Sequence, residues 1–336
     1  MVWEAVPNFS EGRDRALVTT LGAGPDVLDV HADADHNRCV VTLADVRLDR
    51  LAATVFDRVA LAVARIDLRA HAGVHPRVGA ADVVPLVPLA GASLADGVVE
   101  ARRLGERVWR ELGVPVFFYG EAAGGRRLAE IRAGRVRPDL GDEPHPTAGG
   151  VCVGVRGPLV AYNLAFAGLS LRDARRVAAG IRALPGVQAL AFPLSGGRTQ
   201  VSMNLTRPAE AGAASVFERA SELARASGEP ELVGLCPAVA AGPGCDGGLL
   251  EARLAALAAR RAAAMLEARG DAGWLQLAAE AASLRALAAS RRAILEGAER
   301  VDALSRRLHE GGLATQELGA LLSAALQGLR AAPPAA

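Results

Sequence analysis

The sequence predicts an α+β protein of two ferredoxin-like subdomains followed by an all-helical C-terminal segment, and three observations lead there. Short apolar runs alternate with amphipathic stretches of helical period through the first two-thirds of the 336 residues. The same order of elements occurs twice. From Gly247 onward Ala, Leu, Arg and Glu dominate without β-branched clusters, which suits several helices. The length exceeds what one core usually organises. With 51% hydrophobic but only 4% aromatic residues, the interiors must be built from Ala, Val and Leu.

In the first half a strand is expected over 2–6, a helix over 13–21, strands over 27–31 and 39–43, a helix over 48–65 and a strand over 83–87. This is the β-α-β-β-α-β order of a ferredoxin-like unit. A helix then opens at Ser93, with Asp96 at capping-box spacing, turns Val98, Val108 and Leu112 inward and stops at Gly113. It feeds a strand over 116–119. RVRPDLGDEPHPTAGG, residues 135–150, is rich in Pro and Gly and has neither period, so it reads as a long surface connection.

The order then returns: strand 159–164, helix 170–184 with Asp173 three residues after Ser170, strands 187–192 and 200–205, helix 213–226 and strand 232–235. The expected organisation is a subdomain over 1–134, a loop and linker over 135–157, a second subdomain over 158–246 and a helical extension over 247–330. In that extension Leu250, Leu254 and Leu257, then Leu284 and Leu287, fall at helical spacing as stripes that must pack on something. The closing AAPPAA reads as a frayed tail.

Lys and Arg number 38 against 37 Asp and Glu, with no run of one sign, which argues against a nucleic-acid or membrane surface. Every basic residue is an arginine, a residue suited to bidentate carboxylate binding. Cys39, Cys152, Cys236 and Cys245 form no CxxC, so they read as buried thiols and not as a disulfide framework or a zinc site. The amino terminus lacks a basic stretch followed by an apolar run, and no apolar segment reaches membrane-spanning length. A reduced, cytoplasmic location is expected.

Four segments carry chemistry-bearing residues. HAGVHPRVGAAD, residues 71–82, places two histidines and Arg77 in a Gly/Pro-interrupted loop before a buried strand that holds Asp82. His71 reads as a loop-holding hydrogen-bonding group. His75, kept extended by Pro76, reads as the group that moves a proton at neutral pH. VHADADHNR, residues 30–38, gathers His31, Asp33, Asp35, His36 and Arg38, either as a polar hairpin turn or as metal ligands of a hydrolase. PNFSEGR, residues 7–13, ends the first strand. Either Asn8, Ser10 and Glu11 face a ligand, or Ser10 caps the next helix and Gly12 relieves strain. In GDEPHPTAGG two prolines hold the chain extended, Gly149 and Gly150 permit close approach to a flat ring, and Arg156 follows as a carboxylate partner. No P-loop, GxGxxG, GxSxG or HExxH motif occurs.

PNFSEGR, DHNR, HAGVHPRVGAADVVP, VPVFFYGEAA, IRAG, PDLGDEPHPTAGG, VAYNLAF and QVSMNL, in that order over about residues 2–240, resemble the glutamate formiminotransferase family. The resemblance implies two α/β subdomains around a cleft. It also implies transfer of the formimino group of N-formimino-L-glutamate to N5 of tetrahydrofolate, a step of histidine degradation and one-carbon metabolism. By position it makes His75 the general acid/base and Arg38 the arginine at the substrate. It makes 141–149 the folate loop, with Gly141, Pro144, His145, Pro146, Thr147 and Gly149 as contacts. Asn8, Ser10, His36, Arg77, Asp82, Arg156 and Asn163 complete the expected substrate and folate site.

Tetrahydrofolate is then a co-substrate, no metal is expected, and the expected partners are small molecules; the apolar helical tail leads to the expectation of a homodimer. The chain departs from animal members at His31, where they carry an aspartate whose role falls to Asp33 or Asp82, and at Ala148, where they carry an aromatic. The helical extension is shorter than the cyclodeaminase domain fused to some members. Formyl transfer between 5-formyltetrahydrofolate and glutamate, a metal-dependent hydrolase on His31, Asp33, Asp35 and His36, and a non-catalytic folate-binding protein are the alternatives.

Overall fold

Pro7 has no N–H to give to a ladder, and the first strand is accordingly broken around it into β1 (Trp3–Ala5) and β2 (Asn8–Phe9). The computed structural model describes residues 1–74 and 76–331, so the expectations for His75 and for the tail 332–336 concern positions outside the described residues. Two compact units are defined by their internal contacts, 1–157 and 158–336.

In the first unit α1 (Arg15–Leu21) follows, capped by Asp14, whose carboxylate accepts from the Ala16 and Leu17 amides at 2.9 and 3.1 Å. Ser10, a candidate cap in the sequence, takes another role described below. β3 (Val27–Asp33) and β4 (Arg38–Asp45) form a hairpin. α2 (Leu48–Arg65) buries Leu51, Ala52, Val55, Phe56, Val59 and Ala62 at helical spacing, and β5 (Ala81–Pro88) is buried along nearly all its length.

α3 (Leu94–Leu112) begins with the Ser93 hydroxyl accepting from the Asp96 amide and ends at Gly113, left-handed at φ +65, as the capping-box and glycine signals require. A Cβ at Gly105 would lie 2.7 Å from the Phe118 ring, so that glycine sets how closely α3 sits on the next strand, β6 (Val116–Gly120). A short α4 (Leu128–Arg132) precedes the long loop. β7 (Val151–Val155) then lies inside the span expected to be loop and linker.

The register explains the architecture. β3, β4, the broken β1/β2 strand and β5 pair antiparallel in the spatial order of a ferredoxin-like sheet, and β7 and β6 extend it as parallel strands beyond β5. Parallel β7 needs the crossover that α3, β6 and the loop provide. Alternation assigns the two faces. Trp3, Ala5, Cys39, Val41, Leu43, Val84, Leu86, Val151, Val153 and Val155 belong to the core that packs with α1, α2 and α3. The opposite face presents Glu4, Asn8, Arg38, Thr42, Cys152 and Tyr119, a set far more polar than a buried sheet face ordinarily carries.

The second unit repeats the order with β8 (Val160–Ala167), α5 (Leu171–Ile181), β9 (Val187–Pro193), β10 (Arg198–Leu205), α6 (Ala213–Ala224) and β11 (Glu229–Val233). Its strands lie in the order β11-β8-β10-β9, all antiparallel. The last strand falls three residues earlier than the apolar run 232–235 suggested, because pairing with β8 is set by Glu229 against Ala165 and Val233 against Ala161.

Four helices follow: α7 (Leu250–Glu267), α8 (Trp274–Arg285), α9 (Arg291–Glu310) and α10 (Gln316–Arg330). Leu250, Leu254 and Leu257 are buried as a stripe, while Leu287 lies beyond the end of α8 that carries Leu284. No described helix is long and apolar enough to cross a membrane. Replacing Ser93 by Ala is expected to cost about 1 kcal/mol of stability through loss of the α3 cap, read as a lower midpoint in urea unfolding.

Candidate active site

Asp82 sits where the sheet breaks its own register. Asn8 pairs with Val83 but Phe9 pairs with Ala81, so Asp82 is the extra residue of a β-bulge in β5. The bulge turns its carboxylate toward the polar face, where it accepts from the Val78 amide at 2.6 Å and from an Arg132 Nη at 2.8 Å. Asp82 is almost fully buried.

Arg38, at the start of β4, donates to the Asn8 side-chain carbonyl, and Asn8 in turn donates to the Val6 carbonyl at 2.7 Å. Burial lowers the Arg38 guanidinium to about 10, a fall that Asp82 opposes and that Arg132 and Arg77 deepen. Three guanidiniums thus gather around one carboxylate. The surplus of positive charge suits a substrate that carries carboxylates, and the planar forks suit bidentate recognition. The Nε of Arg132 is buried and has no hydrogen-bond partner among the described residues.

The loops are seamed together by glycines. A Cβ at Gly79 would lie 1.6 Å from the Gly150 carbonyl oxygen, so only glycine lets the 71–80 loop touch the 141–150 loop. The seam is made by Ala80 donating to Ala148 at 2.8 Å, Gly150 to Val78 at 3.0 Å and Leu68 to Thr147 at 2.8 Å. Ser10 joins it: its hydroxyl donates to the Gly79 carbonyl at 2.8 Å, and its amide to Ala80 at 2.8 Å. Ser10 is therefore a loop clamp and not a helix cap. Glu11 accepts from the amides of Arg13 and Asp14 at 2.7 and 2.9 Å and so closes the turn before α1.

The 30–38 segment is the polar hairpin turn, closed by Asp33 accepting from the His36 amide at 2.8 Å, with Asn37 in the left-handed region at φ +47. The Asn37 side chain bridges three segments, accepting from Gly12 at 2.9 Å and donating to the Ala72 carbonyl at 3.1 Å. A Cβ at Gly73 would meet the His36 carbonyl at 2.4 Å, and the Val74 amide donates to Asp35 at 3.3 Å. His71 pairs with the Arg77 guanidinium, in the loop-holding part expected of it. Burial and then Arg77 lower its pKa. No group of three or more His, Cys, Asp or Glu residues placed to hold a metal occurs among the described residues.

The folate-loop candidates divide. His145 is turned inward on its own loop, its Nδ1 accepting from the Thr147 and Ala148 amides at 3.3 and 3.1 Å, while its backbone exchanges both hydrogen bonds with Gly149. Pro144 and Pro146 are exposed. Gly141, at φ +80, lies against the Trp109 ring, which leaves no room for a Cβ. Ala148, where animal relatives are expected to carry an aromatic, is buried in the seam. Asn163 belongs to the second unit, where it donates to Glu231 at 2.8 Å.

Residues 2–156 match the model of the formiminotransferase domain, N-terminal subdomain. The chain is 36% identical over 270 residues to glutamate formimidoyltransferase of Thermoplasma acidophilum, covering 70% of this chain and 88% of that one. It is 35% identical over 270 residues to the enzyme of the same name from Streptococcus pyogenes serotype M1, covering 70% and 89%. Against formimidoyltransferase-cyclodeaminase of Gallus gallus it is 34% identical over 270 residues, 70% of this chain but 50% of that one. Two α+β units, the first with an arginine-rich polar sheet face, together with these likenesses define a transferase. The chain belongs to the glutamate formimidoyltransferase family.

Sequence reasoning passed over Arg132, although the IRAG motif that holds it was in view, and over Glu4. Glu4 is a carboxyl in the middle of an apolar strand, with only 7% of its surface exposed. Burial raises it to about 7, against the opposing pull of Arg156. A carboxyl held above its unfolded value adds stability that is complete below pH 4.5 and is lost as pH rises through about 7. Glu4→Gln is therefore expected to flatten stability between pH 5 and 8 and to exceed the parent by as much as about 3 kcal/mol at pH 8, measured by urea unfolding at each pH. Asp82→Ala, which leaves the buried guanidiniums uncompensated, is expected to cost about 3 to 5 kcal/mol in the same measurement.

Proposed function

We propose that this transferase moves the formimino group of N-formimino-L-glutamate to N5 of tetrahydrofolate, with His75 as general acid/base. The observation that supports this most is the gathering of Asn8, Arg38, Arg77, Asp82 and Arg132 on one sheet face, in a chain that aligns with two enzymes named glutamate formimidoyltransferase over most of their length. Glutamate derivatives carry carboxylates that a surplus of guanidiniums attracts.

In this reading Arg38 and Arg132 hold substrate carboxylates and Asp82 fixes both guanidiniums in place. N5 of tetrahydrofolate attacks the formimino carbon and His75 takes the proton that N5 loses. The tetrahedral intermediate collapses with cleavage of the bond to the glutamate nitrogen, and the imidazolium returns the proton to that nitrogen. In the 71–80 segment, Val74 donates to the Asp35 carbonyl and Arg77 to the His36 carbonyl, three and two residues ahead of Arg38 in the chain. The 141–149 loop, seamed to that segment through Gly79, is assigned to folate.

Parallel turnover assays with formiminoglutamate and formylglutamate as donors and tetrahydrofolate as acceptor test the reaction, with 5-formimino- and 5-formyltetrahydrofolate told apart by their spectra. Formimino transfer is expected, and exclusive formyl transfer would replace the reading by its nearest alternative. His75→Gln is expected to lower kcat by about 10² to 10⁴ while leaving the unfolding midpoint in place. Near-parental kcat in that variant removes His75 from the mechanism.

A further inference from the structure

Glu4 has no role in the chemistry described, and its surroundings form a second polar group on the same sheet face. Glu4 lies directly opposite Ala44 on β4 and Val87 on β5. β5 pairs in parallel with β7, Leu86 against Val155, so the next position, Arg156, stands beside Val87. The row Ala44, Glu4, Val87, Arg156 thus runs across four neighbouring strands. The Cα atoms of Glu4 and Arg156 lie two strand spacings apart, about 10 Å, with both side chains on the polar face.

Two hydroxyls join the pair. Tyr119 faces Gly154 in the register, and a Cβ at Gly154 would lie 2.5 Å from the Tyr119 ring. The missing side chain lets the ring lie across β7, with its hydroxyl close to Arg156. Thr42 sits on β4 two residues before Ala44, on the same face. The hydroxyls of Tyr119 and Thr42 are both buried with no hydrogen-bond partner among the described residues. Buried polar atoms without a protein partner take one from water or from a ligand, so both hydroxyls are open to a polar ligand on this face.

The chemistry of the group selects the ligand. A carboxylate acceptor next to a guanidinium donor complements a flat edge that offers two N–H donors followed by a carbonyl, the edge of a 2-amino-4-oxopyrimidine ring. We infer that Glu4 and Arg156 form the subsite for the pyrimidine edge of the pteridine, Glu4 accepting from the 2-amino group and N3–H, and Arg156 donating to the 4-oxo oxygen. Thr42 and Tyr119 are polar partners for the ring nitrogens. The inference rests on folate being the co-substrate.

The geometry orients the ring. Glu4 and Asn8 are four residues apart along the broken first strand, about 13 Å. A pteridine gripped at Glu4 therefore points its other ring, which bears N5, along the face toward Arg38. The two ligand N–H groups supply the hydrogen bonds that burial has taken from the Glu4 carboxylate.

The test uses the full chain and calorimetric titration with three probes: 6-methyltetrahydropterin, its 2-desamino analogue, and p-aminobenzoylglutamate as the tail alone. The parent is expected to bind the pterin, and Glu4→Gln to weaken it by about tenfold to a hundredfold with the fold intact by circular dichroism. The 2-desamino analogue is expected to bind the parent more weakly than the pterin, and to lose less than the pterin does on Glu4→Gln, since only its N3–H remains to bond the carboxylate. Equal pterin affinity in parent and Glu4→Gln, or no pterin binding by the parent, overturns the subsite. So does loss of the tail probe in Arg156→Met with pterin binding retained, which would make Arg156 a carboxylate site. Glu4-dependent pterin binding without formimino transfer would instead sink the proposed reaction and leave the subsite standing.

Discussion

The first unit depends on one buried carboxylate. Asp82 reaches the polar face only because β5 carries a bulge at that residue, and the bulge survives because Phe9 and Asn8 pair on either side of it. Once there, Asp82 compensates Arg38, Arg132 and Arg77, whose mutual repulsion would otherwise keep them apart in a place with little water. It also takes the Val78 amide, which anchors the end of the 71–80 loop to the strand. Charge balance and loop position are therefore the same interaction.

A second constraint is steric. Gly12, Gly73, Gly79 and Gly154 each stand where a Cβ would collide with a neighbouring backbone or ring. Each collision marks a place where two segments distant in the chain approach more closely than side chains allow: the first strand's end on the hairpin turn, the histidine loop on that turn, the histidine loop on the 141–150 loop, and Tyr119 across β7. Hydrogen bonds from Ser10 and Asn37 then hold what the glycines permit. The four cysteines are free and buried, and Cys236 and Cys245 lie close enough in the second unit's core for their thiols to interact.

Much of the fold was legible because it is local. Caps at Ser93 and Ser170 and the stop at Gly113 are read from short spacings, and the helix limits follow them. Both ferredoxin-like orders follow from alternation of period. What escaped was whatever depends on pairing. β7 is an apolar pentapeptide behind a Pro/Gly loop and becomes a strand only through β5 and β6. β11 begins at Glu229, ahead of its apolar residues, because β8 sets its register. The inward turn of the His145 ring, whose Nδ1 accepts from Thr147 and Ala148, likewise depends on the folded loop.

The sequence by itself determined the family, the α+β class, the repeated order of elements and the segments in which site residues lie, since each is carried by short-range pattern or collinear motifs. Tertiary structure alone decided which of those residues meet. Arg132 and Asp82 are 50 positions apart and share a hydrogen bond, and Glu4 and Arg156 stand at opposite ends of the first unit and share a row. No periodicity encodes such pairs, because they arise from strand order and from a one-residue bulge, both of which are settled only when the sheet closes.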